Sequence, residues 1–551
     1  MSFGQPSMGG IFKEGTKHLS GVEEAIIRNI EATKDFMNLI RTSLGPNGMN
    51  KMVVNHLSKI FVTHDASTIV RELEIQHPAA KIIVHAAETQ QKEVGDGTNF
   101  VVALAGELLA QAEPLLRMGL HPSDILEGYS KAGKKTLEFL DSLAVAEKVD
   151  VRNEESVIKA LKSVIAAKQF GYEDILAPIV AKACIHALPK NKKQDVEDSD
   201  ANNEGMNKFA QVAFSVDNVR VAKIEGASVA QTTFLPGFVL ARPVTGTVHN
   251  VKNAKIAVYN CPMDHSSTEA KGTVTITSAE QLKSFSQEEE KILGDSIQEI
   301  ADCGVNVVVC AQNISELALH FLERHKIMAI KVPSKFDVRR VCSAIGATPL
   351  IRLGKPTEEE VGHSTAVESR EIAGHKVTVF VGDDTSRIST IVVRGATGNI
   401  MDDVERAIDK ALNTFKVFCR HPVVIPGAGA SEMELALAIQ RYGDSCPGLD
   451  QYAIKKFAEA LEMIPRTLAE NSGANATELV SSLYAKHSQG AKNACVDVLS
   501  MAIGDAAEMQ VWDALETRQW GIRLAVSAAV DVLRVDSIIV ARQAGGPKGK
   551  Q

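Results

Sequence analysis

Residues 93–101 read EVGDGTNFV: one acid, Asp96, between two glycines, then a hydroxyl, an amide and an apolar run. The plainest reading is a tight turn that delivers a helix, with Asp96 as turn former and Thr98 near the helix start. A second reading gives Asp96 a task, because a small loop that opens a helix presents unpaired N–H groups and the positive end of the helix dipole to an anion. A short Gly-acid-Gly stretch does not choose between them, so the surrounding chain must.

With 551 residues, the chain exceeds one ordinary core, and roughly 150 residues per domain predicts about three or four units. Hydrophobic residues make up 45% and charged residues 23%, the balance of a globular protein. A net charge of -8 and a pI near 6.1 argue against a nucleic-acid binder, which carries a basic stripe to collect phosphates. The start, MSFGQPSMGGIFKEG, lacks a basic segment followed by an apolar one, and no apolar run approaches about 18 residues. A cytoplasmic, membrane-free protein is expected. The cysteines at 184, 261, 303, 310, 342, 419, 446 and 495 form no C-x-x-C pair, so neither a zinc ribbon nor a redox motif is written here. His320 and His325 stand five apart, a spacing that does not put two metal ligands on one helix face.

From Gly21 to Leu44, apolar residues recur at three- and four-residue steps, which predicts a long amphipathic helix. Further helices are expected at about 78–92, 98–117 and 123–144, with a β-like patch at 52–63. Between about 216 and 395 the pattern changes: VRVAKI, KIAVYN, GTVTI, VNVVVC, IMAIKV, KVTVFV and TIVVRG alternate with helical stretches, an α/β pattern. The tract KNKKQDVEDSDANNEG at 190–205 reads as a flexible loop, too polar to bury a core. Helices return after Asp402 in MDDVERAIDKALNTFKVF, ASEMELALAIQRYG, LDQYAIKKFAEALEMIPRTLAENSG and a stretch near 519–534. Either three domains follow in a row, or the two helical ends form one domain with the middle inserted.

Three more glycine stretches bear on the choice: GPNGMNK at 45–51, GAGASEMEL at 427–435 and NSG at 471–473. None fits G-x-x-x-x-G-K-[ST], and G-x-S-x-G is missing, so neither a Walker loop nor a hydrolase elbow is present. Taken in order, GPNGMNK, THDASTIVRELEIQHPAAK, EVGDGTNF, VVRGAT with DDVERA, PGAGASEMEL, IPRTLAENSG and VLRVDSII are highly specific. On these residues the chain resembles the group II chaperonins, ring-forming ATP-driven protein-folding machines, over essentially its whole length.

The resemblance implies a multidomain fold: a mostly α-helical discontinuous equatorial domain (1–146 and 405–551), a small α/β intermediate domain (147–215 and 370–404) and an α/β apical domain (216–369) with a helical protrusion within 260–290. It implies ATP and Mg2+ as cofactors, paralogous subunits in a hetero-oligomeric double ring as partners, and unfolded clients of the actin and tubulin type. Carried over residue by residue, Gly45, Pro46 and Gly48 would line the phosphates. Asp96 would hold magnesium, while Gly97, Thr98 and Asn99 meet phosphate oxygens. Asp65 matches a second acid near the attacking water, although His64 and Ala66 depart from the commoner T-N-D-G wording. Gly427, Ala428 and Gly429 would pack against the nucleoside, Asp513 would bond the ribose, and Lys168 would sense the γ-phosphate. The helix NISELALHFLERHKI would present Glu316, His320, Glu323 and Arg324 to clients, with Ile314, Leu317, Ala318, Phe321 and Leu322 packed inward.

One position departs from the family pattern. In RGATGNIMDDVERAIDKALNTFK the place of the catalytic aspartate falls on Lys410, which cannot take a proton while it is charged. Asp409 is adjacent, but one helical step turns a side chain by about 100 degrees. The expectation is a subunit that binds ATP and hydrolyses little of it, either an active folding subunit within the ring or a mainly architectural one. A stand-alone metabolic kinase lacks any visible phosphoryl-acceptor site.

Overall fold

A computed structural model of the chain describes residues 17–20, 25–145, 148–189, 213–264, 278–372, 374–382 and 387–540. The expected loop at 190–205, the GTVTI strand and much of the expected protrusion lie outside these residues. The described chain falls into two compact units: Met1–Asp150, Glu155–Glu173 and Asp409–Gln551 form one, and Val151–Glu154 with Asp174–Ile408 form the other.

In chain order the first unit begins with strand β1 (Lys17–Ser20) and helix α1 (Ile27–Arg41). A hairpin of β2 (Lys51–Val54) and β3 (Ile60–Thr63) follows. Helices α2 (Ala66–Glu72), α3 (Pro78–Glu93), α4 (Thr98–Arg117), α5 (Pro122–Ser142) and α6 (Glu154–Ala166) complete this stretch. Their starts are legible chemistry. Asp65 caps α2 by accepting from the Thr68 N–H, and Pro78 and Pro122 stand in the first turns of α3 and α5, where no N–H is needed. The four expectations at 21–44, 78–92, 98–117 and 123–144 are met within a few residues.

Helix α4 is the axis of this unit, buried on almost every side from Thr98 to Leu116. Gly106 lets α1 approach it: a Cβ there would sit 2.4 Å from the Met37 Cβ. Tyr129 of α5 lies fully buried, donates to the Leu108 carbonyl at 2.7 Å and packs edge-on against Phe457 with ring centroids 5.8 Å apart. A polar tip satisfied inside an apolar shell is what lets so large a ring be buried.

The second unit holds α7 (Glu173–Ala187), β4 (Val219–Glu225), β5 (Thr233–Leu240), β6 (Asn250–Tyr259), α8 (Ala279–Asp302), β7 (Val307–Cys310), α9 (Glu316–Arg324), β8 (Met328–Lys331), α10 (Lys335–Ile345), β9 (Gly362–Ile372), β10 (His375–Val381) and β11 (Ser389–Gly395). The strands form one eight-stranded mixed sheet in the order β4-β11-β5-β10-β9-β6-β7-β8. Parallel β6, β7 and β8 alternate their side chains between two cores. Ile256, Val258, Val307, Val309, Met328 and Ile330 face the core that holds Val341 and Ile345 of α10. Ala257, Tyr259, Val308, Cys310 and Ala329 face the one that holds Leu293 and Ile297 of α8 and Leu322 of α9. That portion is therefore a three-layer sandwich, and its strands read as unbroken apolar runs because both faces are covered.

Two strands, β5 and β9, escape the period-two reading. In TFLPGFVL residues 233–236 pair with β11 and residues 237–240 pair with β10, the change of partner falling at Pro236-Gly237. Gly237 has φ +112°, and a Cβ would stand 2.1 Å from the Phe380 oxygen. The glycine that hides the strand is thus what bends it. GHSTAVESREI carries too few apolar residues to announce a strand, since several of its side chains face solvent.

The chain then returns through α11 (Gly398–Arg420), β12 (Val424–Pro426), α12 (Ala430–Ser445), α13 (Asp450–Leu461), α14 (Met463–Ser472), α15 (Ala476–Ser488), β13 (Ala494–Asp497), β14 (Ala502–Asp505), β15 (Trp512–Ala514), α16 (Leu515–Leu533) and β16 (Ser537–Val540). The expected single helix over 449–473 is broken at Glu462, because Pro465 lacks the N–H that would continue it. Strands β1 and β16 pair antiparallel, tying the two ends together, and β12 pairs with β15.

Gly106→Ala is expected to lower the stability of the full-length chain by about 1–3 kcal/mol, the usual cost of forcing a methyl group into a filled contact. Urea unfolding followed by helical circular dichroism measures it, and an unchanged midpoint would contradict the close α1–α4 packing.

Candidate nucleotide site

The stretch 93–101 folds as a turn into α4. Gly95 and Gly97 take left-handed φ values of +82° and +79°, and Gly97 caps the helix without any side-chain hydrogen bond. A neighbour excludes a side chain at Gly95 and crowds one at Gly97. A Cβ on Gly95 would lie 2.4 Å from Asn413 of α11, and one on Gly97 would lie 3.1 Å from Gln90 Nε2 and 3.2 Å from Thr517 Cγ2. Gln90 fixes the turn from below, donating to the Asp96 carbonyl at 2.8 Å and to that of Thr517 at 3.2 Å. The Asp96 carboxylate is half-buried at the rim of a cavity that Ser43, Leu44, Gly45, Gly97, Asn99, Phe100, Ser163, Lys168, Thr414, Asp513, Thr517 and Arg518 also line.

Six of the expected residues thus meet around one space: Gly45, Asp96, Gly97, Asn99, Lys168 and Asp513. Pro46 and Gly48 do not line it. They shape the turn behind Gly45, where Gly48 N–H donates to the Gly45 carbonyl at 3.1 Å. Asn99 also spends its side chain on structure. Its Nδ2 donates to the Ser43 carbonyl at 3.2 Å and hydroxyl at 3.0 Å, and its Oδ1 accepts from Ala66 N–H at 3.2 Å and from Lys168 at 3.4 Å. What remains for an anion is the backbone of the first turn, Thr98 included.

Gly427, Ala428 and Gly429 lie behind Asp513. A Cβ on Gly427 would stand 3.3 Å from Asp513 Oδ2, while Ala428 (φ +53°) and Gly429 (φ +85°) make a left-handed entry into α12.

Beside this cavity lies a buried charge cluster. Asp65, 3% exposed, uses Oδ2 to accept from Thr68 N–H at 3.2 Å, from the Thr68 hydroxyl at 3.1 Å and from Ser67. Its Oδ1 faces two ammonium groups, Lys168 at 3.3 Å and Lys410 at 3.6 Å. Lys410 is also 3% exposed and donates to Gln91 Oε1. Burial works against the Asp65 carboxylate, yet Lys410, then Lys168 and the Ser67 hydroxyl, more than reverse that and hold its pKa far below the carboxylate range. Burial likewise draws Lys410 below the ordinary lysine value, with Asp65 and then Asp96 resisting. An ionised carboxylate this close favours the charged form of the ammonium.

Sequence reasoning missed several contributors. Arg518 forks between Asp513 and the buried Glu432. Thr414 and Thr517 are buried, line the cavity, and have hydroxyls with no hydrogen-bond partner among the described residues. No motif marks them, since Thr414 of α11 and Thr517 of α16 become neighbours of one cavity only in the folded chain. In the other unit, Glu316, His320 and Arg324 of α9 are exposed, whereas Glu323 is half-buried and accepts from Thr247 N–H at 2.9 Å. That carboxylate braces a turn, so the expected outward face is narrower. Ala318 and Leu322 pack inward as expected, with Leu317 and Phe321 partly buried beside them.

The residues fit a magnesium nucleotide. Unpartnered hydroxyls and an uncapped helix start face a cavity in which Asp96 and Lys168 converge. Among the described residues no three His, Cys, Asp or Glu side chains gather to hold a metal by themselves. No helix among the described residues is long and apolar enough to cross a membrane, and none of the eight cysteines is joined in a disulfide among the described residues.

The chain belongs to the TCP-1/cpn60 chaperonin family, which it matches over residues 36–543. Its fold is accordingly the multidomain one of that family, with a discontinuous helical equatorial domain, a small α/β intermediate domain and an α/β apical domain. Among individual proteins it is similar to T-complex protein 1 subunit theta of Gallus gallus, 49% identical over 546 residues covering 98% of this chain and 96% of that one. The Homo sapiens theta subunit is 48% identical over the same span and shares. That of Dictyostelium discoideum is 47% identical over 539 residues, 98% and 97% of the two chains.

Lys410→Met should lower stability at neutral pH and flatten its fall in acid. Asp65 has a depressed folded pKa, held there in part by Lys410, so its contribution is present above its unfolded value near about 3.9 and fades as pH falls below that. With one of two cations removed the depression shrinks, so less stability remains to be lost below that value. Urea midpoints of the full-length chain between pH 7 and 3 test this; superimposable curves would show that Lys410 does not hold the charge.

Proposed function

We propose that this chain is a subunit of an ATP-dependent double-ring chaperonin that encloses unfolded proteins, actin- and tubulin-type clients among them, in the cytoplasm. The observation that carries this reading is the convergence of the α4 start, Asp96, Lys168 and Asp513 on one cavity. In it the first-turn N–H groups of α4 and Gly45 would bind phosphates, the Asp96 carboxylate would hold magnesium, Lys168 would meet the terminal phosphate and Asp513 would bond the ribose. Magnesium, when bound, offsets charge on the phosphoryl oxygens. Lys168 would answer the presence of a terminal phosphate by exchanging Asp65 for it, a differential contact of the kind that shifts a conformational equilibrium.

The proposed divisions are 1–146 and 405–551 for the equatorial domain, 147–215 and 370–404 for the intermediate, and 216–369 for the apical. Paralogous subunits are the proposed neighbours. The hairpin of β2 and β3 supports an assembled state, because Met52, Val54, Leu57 and Ile60 stand exposed along it, a patch that a lone soluble chain seldom shows. For clients, α9 offers only Glu316, His320 and Arg324. Helix α10 adds an exposed Phe336 among exposed Lys335, Arg339 and Arg340.

A specific observation favours low turnover. Lys410 Nζ donates to Gln91 and faces the ionised Asp65, so no lone pair is offered to a water. Loss of a positioned general base typically costs about 10²–10⁴ in rate, while the binding groups are untouched.

Asp96→Ala should abolish magnesium-dependent retention of labelled ATP by this subunit in the assembled particle; full retention would defeat the assignment. Lys410→Asp restores an acid at the cost of a second carboxylate beside Asp65. It should raise single-turnover hydrolysis at this subunit, and an unchanged rate from a variant that still binds ATP would remove Lys410 as the cause of slow turnover.

A further inference from the structure

The arginine at the rim of the cavity has a geometry that neither the family resemblance nor the motifs explain. Arg518, near the start of α16, donates to Asp513 Oδ2 from Nη2 at 2.5 Å and from Nε at 3.2 Å. Its Nη1 lies 3.3 Å from Oε1 of Glu432, whose side chain is 3% exposed in the first turn of α12. The guanidinium plane is carried on the Phe100 ring, with Cζ 4.6 Å from the ring centroid. Phe100 stands in the first turn of α4, Glu432 three residues after Gly429, and Asp513 on β15. One side chain therefore touches all three segments that would surround a nucleotide.

We infer that Arg518 is a positioning residue: it fixes the Asp513 carboxylate so that Oδ1 is aimed at the vicinal hydroxyls of a ribose, and thereby sets the preference of this site for ribonucleotides. The inference rests on the reading of the cavity as a nucleotide site and adds a residue to it. The chemistry is one of division of labour within a carboxylate. Oδ2 takes both hydrogen bonds from Arg518 and lies 3.3 Å from where a Cβ on Gly427 would sit, so that oxygen is walled in. Among the described residues Oδ1 accepts from none, and Asp513 lines the cavity. An aspartate on a short strand otherwise turns about its last torsion, which is broad and two-fold. The bidentate grip removes that freedom before any ligand arrives, which is how preorganisation improves recognition. The second anchor keeps the grip in place. Burial raises the carboxyl pKa of Glu432 although Arg518 opposes it, and with Oε1 at 3.3 Å from Nη1 the guanidinium is contacted from both ends.

Lysine is the informative replacement, because it keeps the positive charge between two carboxylates while losing the planar fork. The experiment uses the assembled particle, photolabelled with 8-azido-ATP, and reads competition at this subunit by ATP and by 2′,3′-dideoxy-ATP. The wild-type subunit should prefer ATP. In Arg518→Lys that preference should fall by about tenfold, the scale of hydrogen bonds to a charged group that is no longer held in place, while competition by the dideoxy nucleotide hardly changes. Glu432→Gln, which loosens only the second anchor, should lower the preference in the same direction by less, and it serves if the lysine variant fails to enter the particle. An unchanged preference, or equal weakening of both nucleotides, would overturn the positioning role and leave Arg518 as a structural ion pair. Absence of label on the wild-type subunit would overturn the nucleotide reading itself and this inference with it, a result separate from a labelled site that ignores Arg518.

Discussion

A carboxylate shut away from water must be answered by its surroundings, and the answers given to Asp65 build much of the site. One oxygen starts α2 by capping its first turn, while the other draws in the ammonium groups of Lys168 and Lys410 from distant parts of the chain. Removing a charge from water costs several kcal/mol per ion, so the cluster is stable only with both oxygens served. Asn99 then links the end of α1, the start of α2 and Lys168 in one network. The first turn of α4 is thereby tied to Lys168, one of the two cations that neutralise Asp65. A buried lysine at 410 is therefore more than a lost acid: it is a structural partner that the neighbouring carboxylate depends on.

The helical half of the fold was legible because its signals are local. Period-four apolar residues and prolines in first turns specify α1 and α3 to α5 without help from the rest of the chain, whereas the short α2 behind its Asp65 cap was not read. Strand β5 was not legible, since Pro236-Gly237 is a breaker locally and a change of partner globally. The break between α13 and α14 could have been read from Pro465, whose missing N–H is a local signal that the strong apolar periodicity on both sides concealed.

At the site, the glycine loops announced themselves through backbone demands that few residues meet, and Gly95 and Gly97 satisfy those demands with left-handed torsions, Gly95 with no room for a Cβ and Gly97 with little. Arg518, Thr414, Thr517 and Gln91 gave no warning. Each acts through a neighbour remote in sequence, and no spacing rule connects Gln91 to Lys410 or Arg518 to Glu432. Asn99 and Gly48 show the converse. Residues that fall in a binding motif can have their polar groups spent on holding the loop rather than the ligand.

The central claim is that this cavity receives ATP and magnesium and that Lys410, locked against Asp65, leaves the triphosphate intact. The most direct measurement is a high-resolution electron cryomicroscopy map of the assembled particle after incubation with ATP and magnesium, read at this subunit. The account predicts an unbroken triphosphate at the start of α4, magnesium density against Asp96 and the Lys410 ammonium still beside Asp65. An empty cavity, or a diphosphate with Lys410 swung clear of Asp65, would contradict it.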